Sequence, residues 1–170
     1  MSNEKINLNI PGRNVFSLPR LKKVVINYRV DDARESAESL AAAEKELVAI
    51  SGQKPRVCRA KKSVAAFKLR QGDPLALKVT LRGDRMDDFL LKFINIVLPR
   101  LRDFKGMPID AFDEAGNYNL TIKDQTYFPE IDLNKVNKIR SVQITISIDS
   151  KSKEESKMLL LAHGFPFEKQ

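Results

Sequence analysis

Three stretches of the sequence alternate between apolar and polar residues, and this alternation limits the folds open to the chain. In residues 22–30, 75–82 and 142–148 every second residue is a large apolar one, and most of the residues between are small, charged, or bear a hydroxyl or amide. Successive side chains of a strand point to opposite faces of a sheet, so this period predicts strands with one buried and one polar face. We therefore expect a sheet that is covered on one side only.

The stretches between these strands have the spacing of amphipathic helices, with apolar residues at steps of three and four. Asp31 or Asp32 is the expected N-cap of the first helix. In the last helix Met158, Leu159 and Leu161 are expected to face the core. The predicted helices cover residues 33–50, 84–98 and 153–163.

Strands are also expected near residues 118–123 and 127–131 and strand-like arms near residues 56–71, and the order predicted for the chain is β-α-β-β-α-β-β-α. That order predicts an α+β fold in which a mainly antiparallel sheet has helices packed on one face and its polar face open. The chain has 170 residues, of which 42% are hydrophobic, which is enough for a substantial core. We expect a single domain over residues 1–170, with an irregular segment at residues 1–19.

Positive charge is concentrated in residues 54–85, which hold ten Lys and Arg against two Asp. The resulting +8 equals the net charge of the whole chain, and it indicates a polyanion bound at this segment. Residues 56–62 and 64–71 are predicted to be strand-like arms of a hairpin with Phe67 beside its tip. Cations there would meet phosphates while the ring stacks on a base. The alternative is a solvated charged ribbon with Phe67 in the core.

The open face of the predicted sheet has a similar polarity. It combines cations with neutral hydrogen-bonding groups, which makes it a candidate face for RNA. Without the neighbouring basic segment, an ordinary solvated face would be an equal alternative. The polar residues concerned are Lys23, Asn27 and Arg29 on the first strand and Lys78, Thr80 and Arg82 on the later one.

The sequence offers no constellation of residues for catalysis. His163 is the only histidine, and its place at a helix end predicts a cap or a complement to the helix dipole rather than a general base. No glycine-rich phosphate motif and no paired Cys or His ligands occur, so no catalytic residue, metal site or cofactor is predicted. The alternative function is a basic RNA-processing enzyme that uses Asp87, Asp88 and Asp113 with a metal ion.

Two further classes of protein are disfavoured. The sequence has no run of about 18 apolar residues and no secretory signal, so neither a membrane span nor a membrane partner is expected. Cys58 is the only cysteine, which excludes an internal disulfide.

Several collinear blocks of sequence resemble large ribosomal subunit protein five, the 5S rRNA-binding family of ribosomal proteins, in its bacterial form. The resemblance covers about residues 19 to 167, and the number and order of the blocks make it specific. The blocks are SGQKP (51–55), AKKSVAAFKLRQG (60–72), KVTLRG (78–83), PRLRDFKG (99–106), FD with GNY (112–118), FPEI (128–131) and FPF (165–167).

The resemblance implies a structural protein of the large ribosomal subunit that clasps 5S rRNA in the central protuberance, beside neighbouring proteins. It implies RNA contacts by Lys23, Asn27, Gln53, Phe67 and Thr80, to which the charge pattern adds Arg29, Lys54, Lys78 and Arg82. A loop near the P-site tRNA corresponds to Lys61, Lys62, Ser63, Val64, Ala65 and Ala66. A bridge to small-subunit protein thirteen corresponds to Phe112, Asp113, Gly116, Asn117 and Tyr118.

Three departures from the family pattern stand out. The family's N-terminal helix is largely absent, Ala66 replaces a glycine at the hairpin tip, and Asp73 replaces an aromatic residue. Alanine disfavours a positive φ at the tip. The shortened N-terminus fits a reduced ribosome, in the mitochondrial matrix or the bacterial cytoplasm. In a ribosome without 5S rRNA, large-subunit rRNA would hold the protein instead.

Overall fold

The computed structural model describes residues 17–168 except residues 31, 34, 35, 103, 134, 135 and 137, and except the side chain of Phe67. The expectations for residues 1–16 and for Asp31 lie outside the described residues. The main elements follow the predicted order. They are β1 (Arg20–Arg29), α1 (Ala37–Ser51), β2 (Arg56–Arg59), β3 (Pro74–Leu81), α2 (Asp84–Lys92), β4 (Tyr118–Ile122), β5 (Val142–Asp149) and α3 (Lys153–Ala162).

The five strands form one antiparallel sheet in the order β2-β3-β1-β5-β4. β1 lies at the centre, where it pairs with β3 on one side and with β5 on the other. The pairs β2–β3 and β4–β5, each adjacent in the chain, complete the two halves of the sheet. The predicted α+β class with a mainly antiparallel sheet is confirmed.

The helices bury the apolar face of this sheet. Leu47 of α1, Phe89 of α2 and Leu160 of α3 belong to one hydrophobic core together with the apolar side chains of the strands. Each such side chain contributes about 1.5–3 kcal/mol when fully buried. The strand residues in this core include Val24, Ile26, Tyr28, Leu77, Val79, Leu81, Val142, Ile144 and Ile146.

Helix α1 begins later than predicted. Ser36 is its N-cap, and the Ser36 Oγ accepts a hydrogen bond from the backbone N–H of Ser39 at 3.1 Å. Asp32, which was expected to cap the helix, instead accepts a 2.7 Å hydrogen bond from the Ser39 hydroxyl. Several residues here are able to cap a helix, and Asp32 is held instead by Ser39 and by the Arg140 guanidinium at 3.8 Å. The other end is as predicted, with Gly52 at φ 65° donating to Val48 O.

Helix α2 continues through a π-helical turn (Phe93–Val97) into a last helical turn (Leu98–Arg100). Lys92 joins it to its neighbours, because its Nζ donates to Ile50 O at 2.6 Å and to Glu130 Oε1 at 2.6 Å. This amine therefore satisfies one of the free carbonyls at the end of α1.

The strand predicted over residues 127–131 is wrong. Gln125–Tyr127 form a 3-10 turn, which begins where the Asp124 carboxylate accepts a backbone hydrogen bond at 2.8 Å. Phe128 enters the core from this turn and is fully buried. Pro129 has no N–H to give to a strand ladder, which agrees with the turn.

Helix α3 presents a different face to the core than predicted. Leu159 and Leu160 are buried, whereas Met158 and Leu161 are 51% and 50% exposed. Four consecutive apolar residues do not define the rotation of a short helix by their spacing alone. Ser152 caps this helix, because its Oγ accepts the Glu155 N–H at 3.3 Å.

Candidate nucleic-acid interface

The outer face of the sheet, which is the face opposite the helices, has a row of polar side chains across all five strands. The register aligns Lys78 with Asn27, and Asn27 with Gln143. The row extends to Arg56 on β2 and to Thr121 on β4. Neighbouring strands lie about 4.8 Å apart, so the row is about 19 Å long. Within it Asn27 Nδ2 donates a long hydrogen bond, 3.5 Å, to Gln143 Oε1.

A second row on the same face is formed mainly by hydroxyl and amide groups. Thr80, Val25, Thr145 and Asn119 are aligned across β3, β1, β5 and β4. Thr145 Oγ1 donates to Asn119 Oδ1 at 2.8 Å. Except for the buried Val25, these side chains are short and polar, so the two rows form a face able to approach ribose hydroxyls and base edges.

The charges on this face are distributed unevenly. Cations occur on β2, β3 and β1, at Arg56, Lys78 and Lys23, whereas the outward residues in the middle of β5 are neutral. Cations bind phosphates, and neutral amides and hydroxyls bind bases and ribose. The face therefore has one half suited to the RNA backbone and one half suited to bases and sugars.

Gln53, which the resemblance implies as an RNA contact, lies beside this face. Its Nε2 donates to Thr80 O at 3.4 Å. Ser51 Oγ fixes the connection from α1, accepting the Gln53 N–H at 3.3 Å. Lys54 follows on the surface, and Arg82 Nη1 contacts Lys22 O at 3.5 Å beyond the end of β3.

The hairpin loop, residues 60–73, connects β2 to β3. The first predicted arm, residues 56–62, is confirmed only over Arg56–Arg59, which form β2. The second, residues 64–71, is wrong, because β3 begins at Pro74 and one isolated bridge joins Val64 to Leu69. Ala60 closes the base of the loop: its N–H donates to Asp73 O at 2.8 Å, and its carbonyl accepts from Gly72 N at 3.0 Å. Residues 61–66 are all exposed.

Two departures from the family pattern fall in this loop, and the structure accommodates both. Ala66 lies in a single 3-10 turn, and the positive φ falls instead on Lys68, at 50°. The Asp73 carboxylate accepts the Arg70 N–H at 2.9 Å, so this acid holds the loop closed. The predicted stacking role of Phe67 concerns a side chain outside the described part of the structure.

The second loop, residues 112–118, is held by its own side chains. The Asp113 carboxylate accepts two hydrogen bonds from Asn117, from the backbone N–H at 2.8 Å and from Nδ2 at 2.9 Å. Asn117 Oδ1 in turn accepts the Ile148 N–H at 3.2 Å. Burial tends to raise the pKa of Asp113, but the hydrogen bonds from Asn117 and Ala115 together outweigh it and hold that pKa below its ordinary value.

Tyr118 and Gly116 of this loop are buried. The Tyr118 ring packs edge-on against Phe112 with 4.9 Å between the ring centroids, and its hydroxyl donates to Pro108 O at 3.0 Å. Burial raises the pKa of Tyr118. Of the residues predicted for the intersubunit bridge, these two position the loop, and the exposed residues at its tip are Glu114 and Ala115.

Arg140 is a residue that the sequence analysis missed. It is 6% exposed, its Nη2 donates to Ser39 Oγ at 2.6 Å, and its Nη1 lies 3.3 Å from Glu46 Oε2. The Tyr28 hydroxyl donates to the same Glu46 carboxylate, and burial together with this carboxylate raises the pKa of Tyr28. The hydrogen bond from Ser39 is the main cause that lowers the pKa of Asp32, which lies 3.8 Å from Arg140. Nothing in the spacing around Arg140 distinguishes it from a solvated arginine.

Residues considered for catalysis have ordinary structural roles. His163 caps α3, as its N–H donates to Leu159 O at 3.1 Å, and burial lowers its pKa although the charge of Asp87 opposes the shift. Among the described residues no group of three His, Cys, Asp or Glu side chains is arranged to hold a metal ion. In the same part of the chain no helix has the length and apolar character needed to cross a membrane.

Two family models match the chain one after the other. The model described as ribosomal protein L5 matches residues 14–70, and the model described as the C-terminus of that ribosomal family matches residues 74–167. The chain belongs to the L5 family of ribosomal proteins. The two matches meet in the hairpin loop, yet both contribute strands to the one L5 sheet.

Curated relatives agree with this assignment. Large ribosomal subunit protein uL5 of Dehalococcoides mccartyi strain BAV1 is 53% identical over 156 residues, which cover 92% of this chain and 87% of that protein. The uL5 of Thermoanaerobacter sp. strain X514 is 50% identical over 157 residues, covering 92% and 88%. The uL5 of Lactobacillus johnsonii is 48% identical over 167 residues, covering 98% and 91%.

Membership of the L5 family confirms the resemblance found in the sequence. The chain is a protein of the large ribosomal subunit, and the prediction that it is not an enzyme is confirmed by the same comparisons. The alternative hypothesis of a metal-dependent RNA-processing enzyme is therefore wrong.

Proposed function

We propose that the outer face of the sheet binds 5S rRNA in the central protuberance of the large subunit. The observation that carries this proposal is the polar row across five strands, with cations on one half and amides and hydroxyls on the other. Lys23, Lys78 and Arg82 bind phosphates, and Asn27 and Thr80 make the more discriminating hydrogen bonds. Large-subunit rRNA takes the place of 5S rRNA where a ribosome lacks it.

The two loops are proposed to contact other parts of the ribosome. Residues 61–66 are exposed and follow a basic strand end, which supports contact with the P-site tRNA. The tip of the second loop, at Glu114 and Ala115, supports a bridge to small-subunit protein thirteen. Both assignments follow the family resemblance.

The chain is proposed to act as one domain among the neighbouring proteins of the central protuberance. One hydrophobic core joins the strands of both family matches, which supports this proposal. The bacterial sources of the relatives favour the bacterial cytoplasm over the mitochondrial matrix.

The first test is binding of the purified chain to 5S rRNA from the same source, beside a scrambled RNA of equal length, over a series of salt concentrations. We expect a preference for 5S rRNA at moderate salt. Equal and steeply salt-dependent binding to both RNAs would contradict the proposal, because charge alone would account for it.

Single substitutions locate the contact. Asn27→Ala and Thr80→Ala should each weaken 5S rRNA binding by about 1–2 kcal/mol, since each leaves an RNA group unpaired. Asn95→Ala is the matched control: Asn95 is exposed on the helix side, where its Nδ2 donates to Leu91 O within its own helix. If all three variants bind equally well, the outer face is not the binding surface.

A further inference from the structure

A second basic site lies on the β1, β5 and β4 side of the outer face, at the same end of the strands as the hairpin loop. Tyr28, Val142 and Ile122 are aligned across β1, β5 and β4. The next residues along these three strands are Arg29, Ser141 and Lys123, and they line one pocket of about 300 Å³. By the alternation of the strands, Arg29 and Lys123 belong to the outer face.

The charge of this pocket is positive. Arg29, Lys123, Lys138 and Arg140 line it with one acid, Asp32, and the Glu46 carboxylate lies 3.3 Å from Arg140, so four cations against two anions give a net charge of +2. Asp32 is already neutralised by the Lys138 Nζ at 3.6 Å and the Arg140 guanidinium at 3.8 Å. Lys123 is exposed and has no ion pair within the described residues.

We propose that this pocket binds a phosphate group of the same RNA that the outer face binds, so the inference rests on the proposed function. The volume is about ten times the 30 Å³ that one water occupies in the liquid, which leaves room for a phosphate and its waters. Lysine, arginine and a serine hydroxyl are the groups that bind RNA phosphates.

The position of the pocket gives it a specific role. Strands β3 and β4 are three strand spacings apart, about 14 Å, and Gln143 of β5 lies two residues from Ser141 of the pocket. RNA fixed by Lys78 at one side and by Lys123 at the other would pass over Asn27 and Gln143. The pocket therefore sets the direction in which the RNA crosses the sheet.

The test compares Lys123→Gln with Lys45→Gln, which removes an equal charge from the exposed surface of α1. We expect Lys123→Gln to weaken 5S rRNA binding about 3- to 5-fold and to lower the slope of log affinity against log salt by about 0.7–0.9. Lys123→Arg should restore both. Equal slopes for Lys123→Gln and Lys45→Gln would overturn the proposal.

A second measurement tests phosphate binding in the pocket independently of which RNA the protein prefers. Inorganic phosphate is titrated into the full chain, and amide chemical shifts are followed by NMR. We expect the Ser141 and Lys123 amides to shift together and to respond less in Lys123→Gln. If the chain shows no preference for 5S rRNA, the proposed function fails, while shifts confined to the pocket would still support a phosphate site. Shifts spread over all exposed lysines would overturn the pocket.

Discussion

The hairpin loop (residues 60–73) and the second loop (residues 112–118) were both predicted to contact other molecules, yet the structure uses their side chains differently. In the hairpin loop, six consecutive residues from Lys61 to Ala66 are exposed, and backbone hydrogen bonds close the base. In the second loop, Asp113 and Asn117 bond to each other, and Gly116 and Tyr118 are buried.

This contrast shows that a motif can resemble a family for two reasons: its side chains stabilise the fold, or they contact a partner. In the second loop most of the resembling side chains stabilise the fold, so a change there should be seen first in stability. In the hairpin loop residues 61–66 are exposed and Ser63 Oγ accepts the Gln71 N–H at 2.9 Å, so changes at Lys61 and Lys62 should be seen in binding. The following predictions test whether that separation holds.

The largest effect is expected for Gly116→Ala. Gly116 has φ 78°, and a Cβ there would lie 2.7 Å from Ser156 Oγ and 3.0 Å from Ser150 Oγ. The two hydroxyls lie 2.6 Å apart and hold each other in place. Strained backbone and overpacking together should cost about 2–4 kcal/mol of unfolding free energy, measured by urea denaturation.

Gly164→Ala is the matched control for this variant. Gly164 has a similar φ of 83°, but nothing lies within 4 Å of a Cβ placed there. It should cost only the backbone strain, about 1–2 kcal/mol. Equal losses in the two variants would show that the contact with α3 adds nothing and that the second loop is less tightly packed than we infer.

A smaller, pH-dependent effect is expected for Asp113→Asn. At pH 7 the variant should lose about 1–2 kcal/mol of unfolding free energy, because an amide cannot accept both hydrogen bonds from Asn117. The folded pKa of Asp113 lies below its unfolded value of about 4, so the carboxylate stabilises the protein above that pH and this contribution is lost as pH falls through the folded pKa.

The measurement for Asp113 is a pair of urea titrations, at pH 7 and at about pH 3, for both proteins. The difference in unfolding free energy between the wild type and Asp113→Asn should shrink at the lower pH, because only the wild type has a carboxylate at residue 113 to be protonated. A difference that stays constant would mean that the ionised carboxylate is not what holds the loop.

Much of the fold could be predicted from the sequence because its strands are regular. The alternation around Val24, Leu77 and Ile144 correctly assigned the inner and outer faces of three strands. The spacing could not distinguish a strand at residues 127–131 from a turn, since Phe128 is buried in either. Nor could it choose Ser36 over Asp32 as a cap, because that choice depends on contacts with distant Arg140.

The candidate site was predicted less completely. Asn27 and Thr80 share the outer face and Gln53 lies beside it, while their contacts with RNA stay a prediction. The contribution of Gln143 and Thr145 was missed, because a run such as VQITISI indicates an exposed face without indicating which strand lies beside it. Register joins β5 to β1 across more than a hundred residues, and no local pattern records such pairing.

The smallest effect on stability is expected for the double variant Lys61→Gln and Lys62→Gln in the hairpin loop. Both side chains are exposed, so the unfolding free energy should change by no more than about 0.5 kcal/mol. Reconstituted large subunits containing the variant should bind P-site tRNA more weakly. The slope of log affinity against log salt should fall by about 0.7 to 0.9 for each lysine–phosphate contact that is lost. The control is Lys45→Gln with Lys151→Gln, two exposed lysines outside the hairpin loop. If 5S rRNA binding falls as much as tRNA binding, the hairpin loop belongs to the same RNA surface as the sheet, and the contrast between the loops concerns stability alone.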